Sequence, residues 1–191
     1  MILSNDNYIV VDNFLEKPEY LISLSKQLKY HASNIKGIIP GIKLQGYMSD
    51  QNWIGFRSDP LVEIDKDLVN SILQKIFFGL YGSNVECTYN VEMYLQFMPQ
   101  IIKNVDSLWH KDIGSIYAGI IYLNKDSNIT NSGTILNIDN ENIVIENKFN
   151  RMLMYRADIK HRPENVFGTT IDNSRLSIVF FINELTVKFL Q

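Results

Sequence analysis

The stretch Val91-Glu92-Met93-Tyr94-Leu95-Gln96-Phe97 alternates apolar and polar residues without a break. In an extended chain successive side chains point to opposite faces, so this is a strand with one apolar and one polar face. Downstream, further strands are expected at Tyr117–Leu123, Gly133–Asn137, Ile143–Glu146, Met152–Tyr155 and Leu176–Ile182. Asp139-Asn140-Glu141-Asn142 separates two of these runs and reads as a hairpin tip. Upstream the period is helical. Pro18 followed by Leu21, Ile22, Leu24 and Leu28 predicts a helix to about Tyr30. Leu68, Ile72, Ile76 and Leu80 predict a second from Asp65 to about Leu80, with Gly82 as its stop. Tyr8 to Val11 is a short edge-strand candidate, and residues 32–58, rich in Gly, Ser and Asn, read as an irregular segment able to form a lid. Helices first and many short strands after predict a mainly β fold with N-terminal helices: a jelly-roll or sandwich with the helices packed on one sheet.

The 191 residues suffice for one domain with a core. The division expected is a helical support region over 1–86 and a jelly-roll over 87–191, within a single domain 1–191. A net charge of −3 without a Lys/Arg block offers no clear nucleic-acid surface and no attraction to an anionic membrane. Cys87, the only cysteine, excludes an intrachain disulfide and a thiolate metal cluster. The opening Met1-Ile2-Leu3-Ser4-Asn5 lacks a basic region followed by a long apolar run, so no signal peptide is expected, and no apolar run approaches the ~20 residues of a bilayer span. A cytoplasmic location is the expectation.

The residues capable of chemistry are few. There are three histidines. In Trp109-His110-Lys111-Asp112 the i, i+2 spacing turns an imidazole and a carboxylate the same way in extended chain. His161, from a distant segment, can complete two histidines and one carboxylate, the facial donor set of non-haem Fe(II). His-X-Asp by itself is common and equally compatible with a turn-capping His110 and a solvated Asp112. Arg175 opens the apolar strand Leu176–Ile182. Aimed inward it requires an anion, and its planar fork suits a carboxylate; aimed outward it is a strand-edge cation. Ser177 shares its face and can add a hydrogen bond. His31, Arg156 and Arg162 read as surface or salt-bridged residues, Glu63, Asp65 and Asp67 as a helix start, and Trp109 as packing or a wall of an entrance.

Taken in order, His110-Lys111-Asp112, His161 and Arg175 resemble the 2-oxoglutarate/Fe(II)-dependent oxygenase superfamily, in its prolyl-hydroxylase-type branch with small phage and bacterial members. The local texture agrees in Tyr117–Asn124, Gly133-Thr134, His161-Arg162-Pro163-Glu164 and Arg175-Leu176-Ser177. The resemblance covers about residues 89–183 and implies a double-stranded β-helix. It implies Fe(II) on His110, Asp112 and His161, and 2-oxoglutarate on Arg175. It also implies that Tyr122 reaches the same carboxylate, with Tyr94 and Gln96 as weaker co-substrate contacts. O2 would be consumed, succinate and CO2 released, and an unidentified substrate hydroxylated: a protein side chain, an amino acid, a nucleobase or a metabolite. Two other readings stay open: a non-catalytic jelly-roll binding or structural module, and a cupin-like metal enzyme without 2-oxoglutarate.

Overall fold

Two long strands, β6 (Val85–Met98) and β12 (Arg175–Phe189), pair antiparallel along nearly their whole length. They form the spine of a computed structural model that describes residues 2–4, 7–49, 53–126 and 130–190, with main chain only at 2–4. The remaining strands are β1 (Ile2–Ser4), β2 (Tyr8–Val11), β3 (Tyr30–Ser33), β4 (Leu44–Met48), β5 (Gly55–Ser58), β7 (Tyr117–Tyr122), β8 (Thr134–Ile138), β9 (Glu141–Ile145), β10 (Met152–Arg156) and β11 (Lys160–Pro163). The helices are α1 (Pro18–Ser25), α2 (Leu61–Ile64) and α3 (Lys66–Tyr81). Nine strands make one sheet in the order β1-β2-β10-β7-β12-β6-β5-β3-β4, and three make a second, β11-β8-β9. The fold is a mainly β jelly-roll with helices on one sheet.

Alternation gives the large sheet two different faces. Met93, Leu95, Phe97, Ile178 and Phe180 turn one way and pack with Val69, Ile72, Leu73, Ile76 and Phe77 of α3. The opposite face carries Ala118, Ile120, Tyr122, Leu153 and Tyr155, which pack with Leu136 and Ile145 of the small sheet. Helices thus seal one side, and the space between the sheets is left for the site.

Several elements match the expected boundaries closely. α3 begins behind Asp65, whose carboxylate accepts the Leu68 N–H at 3.0 Å, and stops at Gly82, whose φ of 80° favours glycine. The hairpin tip tightens to Asp139-Asn140, with φ of 53° and 67°, between the pair Ile138 and Glu141. Two left-handed residues match the right-handed twist of the strands they join.

Other elements differ. α1 ends at Ser25 rather than Tyr30. Tyr30 is drawn into the sheet, fully buried, pairs with Ser58 and donates its hydroxyl to the Ser25 carbonyl at 2.8 Å. Burial of an aromatic side chain outweighs a helical period of leucines. Residues 1–86 are mixed rather than helical, because five strands lie in them; β3, β4 and β5 fall within or overlap the segment read as irregular. The part of that lid candidate at residues 50–52 lies outside the described residues. β2 is covered by β1 and so is not an edge.

Asp12, just after β2, ties this strand to the start of β10. It accepts from Arg151 Nε at 2.6 Å and Nη2 at 3.2 Å, and from Lys148 at 2.7 Å. Arg151 holds the Asp12 carboxyl far below the usual carboxylate range, against the opposing effect of burial. Asp12→Asn is expected to lower stability by about 1–2 kcal/mol at neutral pH. A folded-state pKa depressed below the unfolded one contributes stability above about pH 5 that is lost as the pH falls. Urea melts of both proteins should therefore converge in acid; a constant gap would show that Asp12 acts through packing.

Candidate metal centre

β6 leads through a 3-10 turn, Val105–Leu108, to Trp109 and His110. Here the main chain makes an isolated antiparallel bridge between His110 and His161. The His110 N–H donates to the His161 carbonyl at 3.0 Å, and the His161 N–H to the His110 carbonyl at 2.9 Å. Asp112 is fixed in turn by its N–H to the Ala157 carbonyl at 3.0 Å. His161 itself sits in β11, opposite Leu136. Residues about fifty apart in sequence are brought side by side by backbone hydrogen bonds.

One ligand atom from each of His110, Asp112 and His161 lies within 4.8 Å of the others. His161 Nε2 is 3.3 Å from one Asp112 oxygen, and His110 Nε2 is 3.7 Å from the other. Each imidazole turns Nδ1 to the carbonyl two residues before it, Leu108 at 2.8 Å and Ile159 at 3.0 Å. A carbonyl only accepts, so each Nδ1 carries the proton and each Nε2 points a lone pair at the common centre. Burial, with help from His110, pushes the His161 pKa down to about 3, which keeps that imidazole neutral. Burial raises the Asp112 carboxyl, opposed by the charges of His110 and Arg57. Asp112 Oδ2 is buried without a hydrogen-bond partner. An orphaned carboxylate oxygen beside two aligned lone pairs lacks one thing, a cation. The residues present fit a divalent metal with two nitrogens and one oxygen, and that donor set suits Fe(II).

The three side chains open on a cavity of about 330 Å³ between the sheets, lined also by Arg57, Gln96, Thr134, Tyr155 and Arg175. Arg175, 2% exposed, donates Nε to the Ser132 carbonyl at 3.0 Å and Nη2 to the Gly133 carbonyl at 3.4 Å. It has no ion-pair partner among the described residues, although unpaired buried charge is costly.

The other expected residues are placed variously. Tyr122 is on the inner face, as alternation requires, fully buried 5.6 Å from the Arg175 guanidinium; its hydroxyl donates to Thr134 Oγ1 at 2.7 Å, and Thr134 rather than Tyr122 lines the cavity. Ser177 follows Arg175 on that face, but its buried hydroxyl has no partner and lies outside the cavity lining. Tyr94 donates to Glu92 at 2.9 Å and does not line the cavity; Gln96 does line it. Trp109 lines it beneath Arg162, and Arg162 pairs with Asp106 at 2.7 Å. His31 pairs with Asp59 at 3.0 Å, away from the centre.

Sequence reasoning missed Arg57 and Tyr155. Arg57 lies in β5, inside the segment read as irregular, and the alternation of Phe56, Arg57 and Ser58 was its only signal. Tyr155 packs its ring 4.6 Å from His161 and interacts with Asp112. It shares its face with Leu153, which marks it as inward only once the facing sheet is known.

Neither a family model nor a curated protein matches the sequence. Solved structures do match in fold. A prolyl-4-hydroxylase from Pseudomonas putida aligns over 92% of this chain and 91% of its own, with 13% identity and a TM-score of 0.51. A prolyl hydroxylase from Trichoplax adhaerens, in complex with a hypoxia inducible factor oxygen degradation domain peptide fragment, aligns over 93% and 84%, with 13% identity and a TM-score of 0.54. An oxidoreductase of the 2OG-Fe(II) oxygenase family from Burkholderia pseudomallei aligns over 92% and 85%, with 11% identity and a TM-score of 0.57. At such identities the likeness is one of fold: this chain resembles the 2-oxoglutarate/Fe(II) oxygenases in architecture.

Proposed function

We propose that the protein is an Fe(II)- and 2-oxoglutarate-dependent dioxygenase that hydroxylates a small-molecule or side-chain substrate. The observation that carries this is one cavity holding two opposite deficits: an orphaned Asp112 oxygen beside two imidazoles, and an Arg175 guanidinium without an anion among the described residues. A dication held by His110, Asp112 and His161 would answer the first, and a dicarboxylate co-substrate held by Arg175 would answer the second. The fold shared with known oxygenases supports the reading.

When bound, Fe(II), 2-oxoglutarate and O2 would supply the oxidising power, with succinate and CO2 as the by-products of substrate hydroxylation. The chain's own part is positional. His110, Asp112 and His161 would hold the metal, and the carbonyls of Leu108 and Ile159 keep the two rings turned with Nε2 inward. Arg175 would hold the distal carboxylate of the co-substrate, and Tyr122, bonded to Thr134, packs beside the guanidinium. Trp53, Trp109 and Phe181 wall the cavity and limit water. The catalytic unit is the single domain 1–191, with 87–191 carrying the metal and co-substrate groups and 1–86 supporting them. A cytoplasmic setting accords with a ferrous centre; among the described residues no helix is long and apolar enough to cross a membrane.

The test is anaerobic titration of the protein with Fe(II) and then 2-oxoglutarate. A visible metal-to-ligand charge-transfer band should appear, and succinate should form slowly on admission of air without added substrate. A folded protein that binds Fe(II) but gives no band would overturn the reading in favour of a metal enzyme without 2-oxoglutarate. A folded protein that binds no metal would favour a non-catalytic module.

A further inference from the structure

The proposed co-substrate and metal account for Arg175 and the triad, and they leave a second guanidinium in the same cavity unused. Arg57 projects from β5, which pairs with β6 so that Arg57 faces Gln96. Gln96 Oε1 accepts from Arg57 Nε at 2.8 Å, and the Gln96 amide is itself anchored by donating to the Ile54 carbonyl at 3.1 Å. The guanidinium is caged by the rings of Trp53 at 4.8 Å, Phe181 at 5.3 Å and Tyr94 at 5.5 Å. The cage and Gln96 fix its plane, while both terminal nitrogens lack a hydrogen-bond partner and the residue lacks an ion pair among the described residues. A guanidinium oriented with this much scaffolding and lining a cavity presents its two-pronged end to whatever enters.

Arg57 and Arg175 enter the cavity from different strands and pack against different rings. The register runs Arg57, Gln96, Ser177 across β5, β6 and β12, which separates the Arg57 and Ser177 main chains by two strand spacings, roughly 10 Å. Arg175 lies two residues before Ser177, at the start of β12. Arg57 leans towards Phe181, four residues past Ser177 on β12, whereas Arg175 lies against Tyr122, level with Ser177. Asp112, whose field reaches Arg57, is claimed by the metal in the proposed enzyme and is not available as a partner.

We propose that the oxidised substrate is a small carboxylic acid, amino acids included, whose carboxylate docks bidentately on Arg57 and so places a neighbouring C–H bond at the metal. One planar cation with two free prongs matches a carboxylate. A cavity of about 330 Å³, at the small end for ligand pockets, has little room beyond the co-substrate for a larger molecule. The aromatic cage then serves two purposes: it keeps the cation from collapsing onto Asp112, and it excludes water from the ion pair.

The proposal rests on the dioxygenase reading, and the experiment separates the two. Protein is loaded anaerobically with Fe(II) and 2-oxoglutarate, and the charge-transfer band is recorded first; its absence overturns the enzyme reading before any acid is added. The loaded protein is then titrated calorimetrically with amino acids and with three- to eight-carbon carboxylic acids, each beside its primary amide. At least one acid should bind about tenfold or more tightly than its amide. Arg57→Gln should abolish that preference, and Arg57→Lys, which keeps charge but loses the fork, should retain part of it. Each variant's fold is read from its own band. If no acid outbinds its amide in a protein that shows the band, or if the preference survives in Arg57→Gln, the proposal is overturned.

Discussion

Asp112→Asn is expected to cost the protein its Fe(II) while leaving the metal-free fold at least as stable. In the metal-free state the Asp112 carboxylate is buried, one oxygen has no partner, and burial raises its pKa. Ionising such a group at neutral pH works against folding, and its contribution improves only as the pH falls into the range where it is protonated. An amide of the same shape has no charge to desolvate, and its NH2 can donate to His161 Nε2, now 3.3 Å from the carboxylate. The metal-free variant should be more stable by about 1 kcal/mol. With metal the order reverses. Loss of a hydrogen-bond partner behind a ligand already costs about 10–100-fold in metal affinity, so loss of the anionic ligand itself should cost about 100-fold or more. Thermal melts with chelator and with Fe(II) test both halves. A metal-free variant markedly less stable than the parent would mean that Asp112 is a structural acid.

Arg175→Met is expected to weaken 2-oxoglutarate by about 100-fold, near 3 kcal/mol, with Fe(II) binding unchanged. The side chain is buried at the cavity wall and uses two of its nitrogens on the carbonyls of Ser132 and Gly133. Methionine fills much of the same volume without bringing a charge out of water. The carbonyls lose a donor, but Gly133 keeps the Glu164 N–H at 3.0 Å. Gain and loss nearly offset, so stability without ligand should stay within about 1 kcal/mol of the parent. The co-substrate titration followed by the charge-transfer band measures the first effect and denaturant melts the second. A 2-oxoglutarate affinity within threefold of the parent would remove Arg175 from the co-substrate site.

What the sequence made legible follows the strength of its periodicities. β6 alternates over a long stretch, and β7, β10 and the first half of β12 are apolar runs, because one face meets the helical side and the other the small sheet; such strands can be read directly. β3, β4 and β5 are four or five residues each, with no apolar run to announce them. They exist because β6 offers an edge on which to pair, a fact of tertiary structure. α1 was read too long because Leu24 and Leu28 continue the helical spacing past the point where Tyr30 is captured by the sheet. At the site, the spacing of His110, Asp112 and His161 singled out side chains that do converge. The inward face of Tyr122 was legible from alternation, but the engagement of its hydroxyl by Thr134 was not, since Thr134 comes from the other sheet. Arg57 was invisible for the same reason as its strand.

The reciprocal backbone bridge between His110 and His161 has a consequence for how such a site can change. The separation of the two imidazoles is a property of main-chain hydrogen bonds and of two main-chain carbonyls, and side chains elsewhere have little leverage on it. Arg57, in β5, and Trp53, just before it, come from a different part of the chain, and β5 lies four strands across the large sheet from β10, whose Tyr155 packs on His161. Substitutions there can exchange one molecule for another in the cavity while the imidazoles stay where they are. In the proposed enzyme, reactivity and selectivity would in this sense be separately inherited, and what it recognises could drift without loss of the metal ligands.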